Sequence, residues 1–255
     1  MERVQFYVGL HQTSDAKHFD RAFISVTRLR RLKSPFFVVK DWIMDSGAFS
    51  TLRTHGGYPQ PVEEYADEIA RWVRVGQLRA VVTQDYMCEP FMLALTGLTV
   101  PEHQALTIER YDRLRALVSP SVYVMPVLQG YAPSDYVSHI AQYGHRLAPR
   151  AWVGVGSICK RNGTPAEVVA LLRAIKQTRP DLRLHGFGLK ITALESSTVC
   201  QYLDTADSMA WSFRARKHGW NQNDWREAEY FVREIELLLK RSDTDSLLPF
   251  EKEQQ

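Results

Sequence analysis

Cysteine is scarce in this chain: the only 3 are Cys88, Cys159 and Cys200, isolated and without a CxxC pair. That argues against a disulfide framework and a cysteine-rich zinc site, and it suits reduced thiols in a cytoplasmic protein. The 8 histidines show no HExxH or other metal spacing, so no metal is expected. A Gly-x-Ser-x-Gly elbow and a P-loop are both missing, which leaves an esterase-type hydrolase and a nucleotide kinase without support. Gly154 and Gly156 lack the third glycine of a dinucleotide fingerprint, and no cofactor is expected. No apolar run is long enough to span a membrane, and residues 1–11 do not read as a signal peptide. Repeats of solenoid period, low-complexity stretches and linkers are also missing. One domain is expected over residues 1–241, followed by a polar tail over 242–255.

What is present is ordinary globular material. The chain has 255 residues, the usual size of one parallel barrel, and 45% of them are hydrophobic, enough for a large core. The 32 Lys and Arg slightly outnumber the 29 Asp and Glu, which permits a polyanionic partner without requiring one.

Apolar, β-rich runs alternate with helical patterns. Strands are expected at 4–10, 36–44, 80–83, 121–128, 151–155, 182–186 and 205–211. Helices are expected at 22–32, 61–75 and 101–118, from the caps at 134 and 135 to about 143, from 165 onward, and at 192–203 and 224–241. Ser134 and Asp135 are placed to cap the fourth helix; Thr164 and Glu167 form a capping-box pair at the fifth. Strands alternating with helices imply a parallel sheet, and seven or eight of them favour a closed (β/α)8 barrel of the TIM type over an open sheet.

The informative residues follow the strands. Asp45-Ser46-Gly47-Ala48-Phe49, Gln84-Asp85-Tyr86, Gln129-Gly130, Gly154-Val155-Gly156, Gly186-Phe187-Gly188 and Asp207-Ser208 each stand where an apolar run ends or nearly ends. In a barrel those ends share one rim, so residues distant in sequence meet in one pocket. Asp85 can accept hydrogen bonds from a ring N–H and an exocyclic amine, and the Gln129 amide offers both a donor and an acceptor to a base edge. Glu89 lies close to Asp85. Each motif also has a plainer reading: a turn at Asp45-Ser46-Gly47, a cap at Asp85, a satisfied core amide at Gln129, close packing at the glycines. His185 falls within a strand and can face the pocket, although it suits a satisfied interior position better. Arg214, Arg216 and Lys217 follow Asp207 and suit phosphate contacts, although short basic clusters are commonly solvated faces. Trp211, Phe213 and Trp220 offer stacking surfaces or core.

In this order the motifs resemble the tRNA-guanine transglycosylase superfamily, including its DNA-acting branch, over roughly residues 38–216. The resemblance implies a barrel acting on the N-glycosidic bond of a base. By it, Asp45 is the acid near sugar and base, with Ser46 and Phe49 as base-binding neighbours. Asp85, Gln129 and Gly130 read the base, the Gly154–Gly156 segment closes the pocket, and Arg214 and Arg216 hold the nucleic-acid backbone. Two departures stand out. The family's nucleophilic aspartate falls at Ala210, and its zinc site is missing, since residues 216–226 contain no cysteine. The missing zinc site and the shorter chain point to a DNA-acting member rather than one acting on tRNA. Ala210 means that either Asp207 takes the nucleophile's role or no covalent intermediate forms, which tilts the reading to hydrolytic excision.

The expected function is excision of a modified base from DNA by a glycosylase, with a role in antiphage defence. Asp45 and Asp207 are the catalytic pair. Gly186 completes the base site; Lys160, Arg161, Arg214, Arg216 and Lys217 hold phosphates. Base exchange that inserts a 7-deazaguanine is the alternative, and a non-catalytic nucleic-acid-binding subunit or a small-molecule barrel enzyme are the others.

Overall fold

The computed structural model describes residues 4–34, 37–161 and 163–245. Nine strands form one parallel sheet: β1 (Gln5–Gly9), β2 (Arg21–Ser25), β3 (Asp41–Asp45), β4 (Gln77–Val82), β5 (Val124–Met125), β6 (Val127–Leu128), β7 (Trp152–Val155), β8 (Arg183–Gly186) and β9 (Thr205–Ser208). Neighbours run in chain order, and β1 also pairs with β9, Tyr7 opposite Asp207. The sheet closes through 124–128. Tyr123 and Met125 carbonyls accept from Val81 and Thr83 on one side, and Pro126 and Leu128 carbonyls accept from Gly154 and Gly156 on the other. Pro126 has no N–H to continue a ladder, so β5 and β6 are two halves of one strand. The ring therefore has eight staves, and the fold is the expected TIM-type barrel.

Alternation along the strands makes two apolar compartments. Ala22, Ile24, Trp42, Met44, Val153 and Val155 face the surrounding helices and join the main core. Tyr7, Ile43, Val82, Met125, Val127 and Trp152 fill the barrel interior, with Phe23 and Phe187 packed on them. The outer layer comprises α1 (Val26–Leu29), α2 (Ala48–His55), α3 (Val62–Trp72), α4 (Pro90–Thr96), α5 (Val100–Leu117), α6 (Pro133–Tyr143), α7 (Pro165–Thr178), α8 (Ile191–Leu194), α9 (Ser197–Tyr202), α10 (Ala210–Lys217) and α11 (Trp225–Asp245). In α3 the buried Tyr65, Ile69 and Trp72 recur at helical spacing and face the barrel. No helix among the described residues is long and apolar enough to cross a membrane.

Several expected elements differ. The helix expected at 22–32 begins instead as strand β2, whose alternating burial from Arg21 to Ser25 has period two, and only the short α1, Val26–Leu29, is helical. The strand expected through Trp211 stops at Ser208, and Trp211 packs inside α10. The 192–203 helix is broken into α8 and α9, and two short helices, α2 and α4, were not anticipated. Phe36, at the start of the expected second strand, lies outside the described residues; that strand, β3, begins at Asp41. The closing helix continues through Asp245, beyond the expected end at Arg241, and the remaining tail, 246–255, lies outside the described residues. Asp135 caps α6 by accepting from the backbone N–H of Tyr131 and Ala132, at 2.8 and 2.7 Å. Thr164 makes no side-chain cap, and Glu167 turns instead to Arg161.

Candidate active site

All eight barrel staves end around a cavity of about 390 Å³ at the carboxyl rim. Asp45 at the end of β3, Asp85 just beyond β4 and Asp207 in β9 all line it, together with Gln129, Gly156 and Phe49. Acids separated by up to 162 positions thus reach one space. Its remaining wall is largely apolar, with Phe23, Val82, Met87, Phe187 and Met209, which suits a flat heterocycle.

Gly47 bends the chain after Asp45: its φ of 72° is left-handed, and its N–H donates to Asp45 Oδ2 at 3.1 Å. Burial pushes the Asp45 carboxyl up to about 6, against the stabilising bonds of Ser25 and the local amides, and the nearby Asp207 adds to the rise. Burial pushes Asp85 higher, to about 7, although Gln129 Nε2 donates to Asp85 Oδ2.

The Gln129 amide is held in one orientation. Its nitrogen faces Asp85, so its oxygen faces Ser157 Oγ at 2.8 Å. Ser157 Oγ also accepts from the Cys88 N–H at 2.9 Å and lies 2.9 Å from Glu89 Oε2. A hydroxyl donates only once, so Ser157 serves either the Glu89 carboxyl or the Gln129 oxygen at a time; burial pushes the Glu89 acid up, against the bond from Ser157. Gly156 makes room for this amide: a Cβ there would collide with the Gln129 side chain.

Asp207 is fixed from behind. Its Oδ1 accepts from Gly188 N–H at 3.1 Å and lies 3.2 Å from His185 Nε2. The Trp152 indole N–H can only donate, and it meets Thr205 Oγ1 at 2.9 Å. The Thr205 hydroxyl proton is then directed to His185 Nδ1, 2.8 Å away. That assigns the His185 proton to Nε2, where it donates to Asp207. A buried chain Trp152–Thr205–His185–Asp207 thus runs through the barrel interior. Sequence reasoning allowed His185 to face the pocket but preferred an interior residue; its position immediately before Gly-Phe-Gly is no distinctive signal.

The other expected site residues divide. Ser46 is buried, and its hydroxyl has no hydrogen-bond partner among the described residues, but it does not line the cavity. Gly130, Gly154 and Gly186 do not line it either; added side chains would meet Tyr136 and Asp135, Phe187, and Leu189, so these glycines serve packing. Lys160 stands at the rim, its Nζ 5.6 Å from the Phe49 ring and 5.8 Å from the exposed Phe91 ring. Arg161 is occupied by the Tyr131 carbonyl and by Glu167. Arg214 does not pair with Arg216 towards the rim: it bonds Glu234 at 2.7 Å and packs on Tyr230 and Phe231 of α11, while Arg216 lies over Phe213. Positions two apart on a helix point to opposite sides. Lys217 ends the same helix, exposed. Among the described residues no cluster of three His, Cys, Asp or Glu is placed to hold a metal.

A parallel barrel with buried acids gathered at its carboxyl mouth has the layout of a TIM-barrel enzyme. Within that class the sequence is specific: the chain belongs to the family described as DpdA, DeoxyPurine in DNA protein A, whose family model matches residues 2–222. This is an enzyme family of the tRNA-guanine transglycosylase type that acts on DNA and is linked to DNA modification. No curated protein matches the chain.

Proposed function

We propose that this protein breaks the N-glycosidic bond of a purine in DNA and exchanges the base. The observation that carries the reading is the meeting of Asp45, Asp85 and Asp207 in one cavity sized for a single base. A base inside a duplex must leave the stack to reach such a cavity. Asp85 and Gln129 face its hydrogen-bonding edge. Near neutral pH Asp85 is divided between its acid and carboxylate forms, so it serves as donor or acceptor there.

Asp207 faces the sugar. Its Oδ1 is held by two donors, which leaves Oδ2 for the anomeric carbon. Asp45, pushed up to about 6, is suited to carry a proton at neutral pH. When the C1′–N9 bond breaks, its electron pair goes to the departing base, which takes the Asp45 proton. The Asp207 carboxylate bonds or electrostatically stabilises C1′. An incoming base attacks C1′ with a ring-nitrogen lone pair, releases Asp207 and returns its proton to Asp45.

Hydrolysis is the second reading: water replaces the incoming base and leaves an abasic site. Ala210, standing where the resemblance expects the nucleophile, favours it. The family description, a deoxypurine retained in DNA, favours exchange. Incubation of DNA with the protein and a labelled 7-deazapurine decides between them. Label in DNA supports exchange, and abasic sites formed without added base support excision. Neither product from plain or modified DNA rejects both.

A further inference from the structure

Among the described residues lining the carboxyl-end cavity, Arg28 is the only lysine or arginine. It sits in α1, close after β2. One guanidinium nitrogen, Nη2, lies 3.2 Å from His11 Nδ1. Arginine can only donate, so His11 Nδ1 accepts and the ring proton resides on Nε2. That nitrogen meets Ser212 Oγ of α10 at 2.6 Å. A neutral imidazole thus ties Arg28 to the helix beyond β9. Burial first, then the Arg28 charge, holds His11 below the usual histidine range.

No carboxylate lies within ion-pair distance of Arg28 among the described residues, although Asp45, Asp85 and Asp207 share its cavity. Its charge is therefore held in place by a neutral group and left unneutralised by the protein. The ionised fraction of the three acids disfavours a phosphodiester in this cavity, and Arg28 is the lining cation that offsets them. A purine is neutral and needs no cation; the anionic part of a DNA substrate is its backbone.

We infer that Arg28, positioned by His11, binds a backbone phosphate of the nucleotide whose base enters the cavity. The inference rests on the nucleic-acid reading above. It places a phosphate contact on the β2 side of the mouth, apart from Lys160 and from the α10 cations.

The test is the salt dependence of binding to a fluorescein-labelled duplex with a central mismatch, read by anisotropy on the full chain. Arg28→Gln keeps a donor for His11 and removes the charge. It is expected to weaken binding about tenfold at low salt and to lower the slope of log affinity against log salt by about 0.9. Arg28→Lys is expected to keep the slope. His11→Ala should weaken binding with the slope unchanged, because no charge is lost. Circular dichroism melting checks that each variant is folded; should Arg28→Gln not fold, His11→Ala decides by affinity, weakened binding supporting the assignment and wild-type affinity overturning it. An Arg28→Gln slope and affinity equal to wild type overturn the Arg28 assignment alone. A wild-type protein with no salt-sensitive DNA binding overturns the nucleic-acid reading and this assignment with it.

Discussion

The two mouths of the barrel carry opposite charges. The amino mouth holds a cavity of about 460 Å³ lined by Arg79, Arg150 and Arg183 with Tyr123 and Trp152. The carboxyl mouth holds the somewhat smaller cavity lined by Asp45, Asp85 and Asp207. Size therefore does not identify the reactive end; the state of the charges does. In a parallel barrel the carboxyl ends of the helices face the amino mouth, and cations are favourable beside those exposed carbonyls. Arg115 near the end of α5 reaches the Val122 carbonyl in the loop before β5 at 3.1 Å, and Lys176 near the end of α7 reaches that of Leu182 before β8 at 2.6 Å. Arg183 is paired with Asp204 at 3.3 Å. Cations there cost little and serve the fold. At the other mouth burial opposes the ionisation of Asp45 and Asp85, a cost characteristic of reactive sites.

The comparison can be broken most severely at Asp207. Asp207→Asn is expected to lower base exchange or release by about 10³-fold or more, as removal of a key charge-stabilising group does. Mass spectrometry of released or incorporated base measures it, and activity within a few-fold of wild type would remove Asp207 from the chemistry. Gly156→Ala comes next, because its methyl would displace the Gln129 amide. Loss of about 10²-fold in kcat/KM is expected for a misplaced reading group, with the barrel intact by circular dichroism.

The pH response is a smaller effect with a definite sign. Asp45 and Asp85 have folded-state values near 6 and 7, above their ordinary 3.8. The folded protein therefore binds their protons more tightly than the unfolded chain. Their contribution to stability is fully present below about pH 4 and is lost as pH rises through 6 to 7. The fall in Tm between pH 5 and 8 should be shallower in Asp85→Asn than in wild type, and an unchanged slope would contradict the burial argument. Arg79→Ala at the amino mouth is expected to change stability by less than about 0.5 kcal/mol and activity not at all; a large loss of activity there would erase the distinction between the mouths.

Much of this was legible in sequence because a parallel barrel converts strand order into geometry. Apolar runs ending at Asp45, Asp85, Gln129 and Asp207 were enough to anticipate one rim. β2 was hidden because Arg28, Arg30 and Arg31 follow Arg21–Ser25 directly and lend the whole stretch a helical look. Misplacing β2 also hid Arg28, which reads as an exposed helix cation until its strand is known. Arg214 misled for the opposite reason: adjacency to Arg216 in sequence says nothing of the α11 packing that turns it towards Glu234. The glycines were recognisable as special, but whether a missing side chain admits a ligand or Phe187 depends on the neighbouring stave.

The hydrogen-bonded line from Trp152 to Asp207 gives the amino mouth a stake in events at the carboxyl mouth. Because the indole N–H can only donate, a reversal of proton order begun at the aspartate stops at the Thr205 hydroxyl, and Trp152, which lines the amino mouth, anchors the far end of the line.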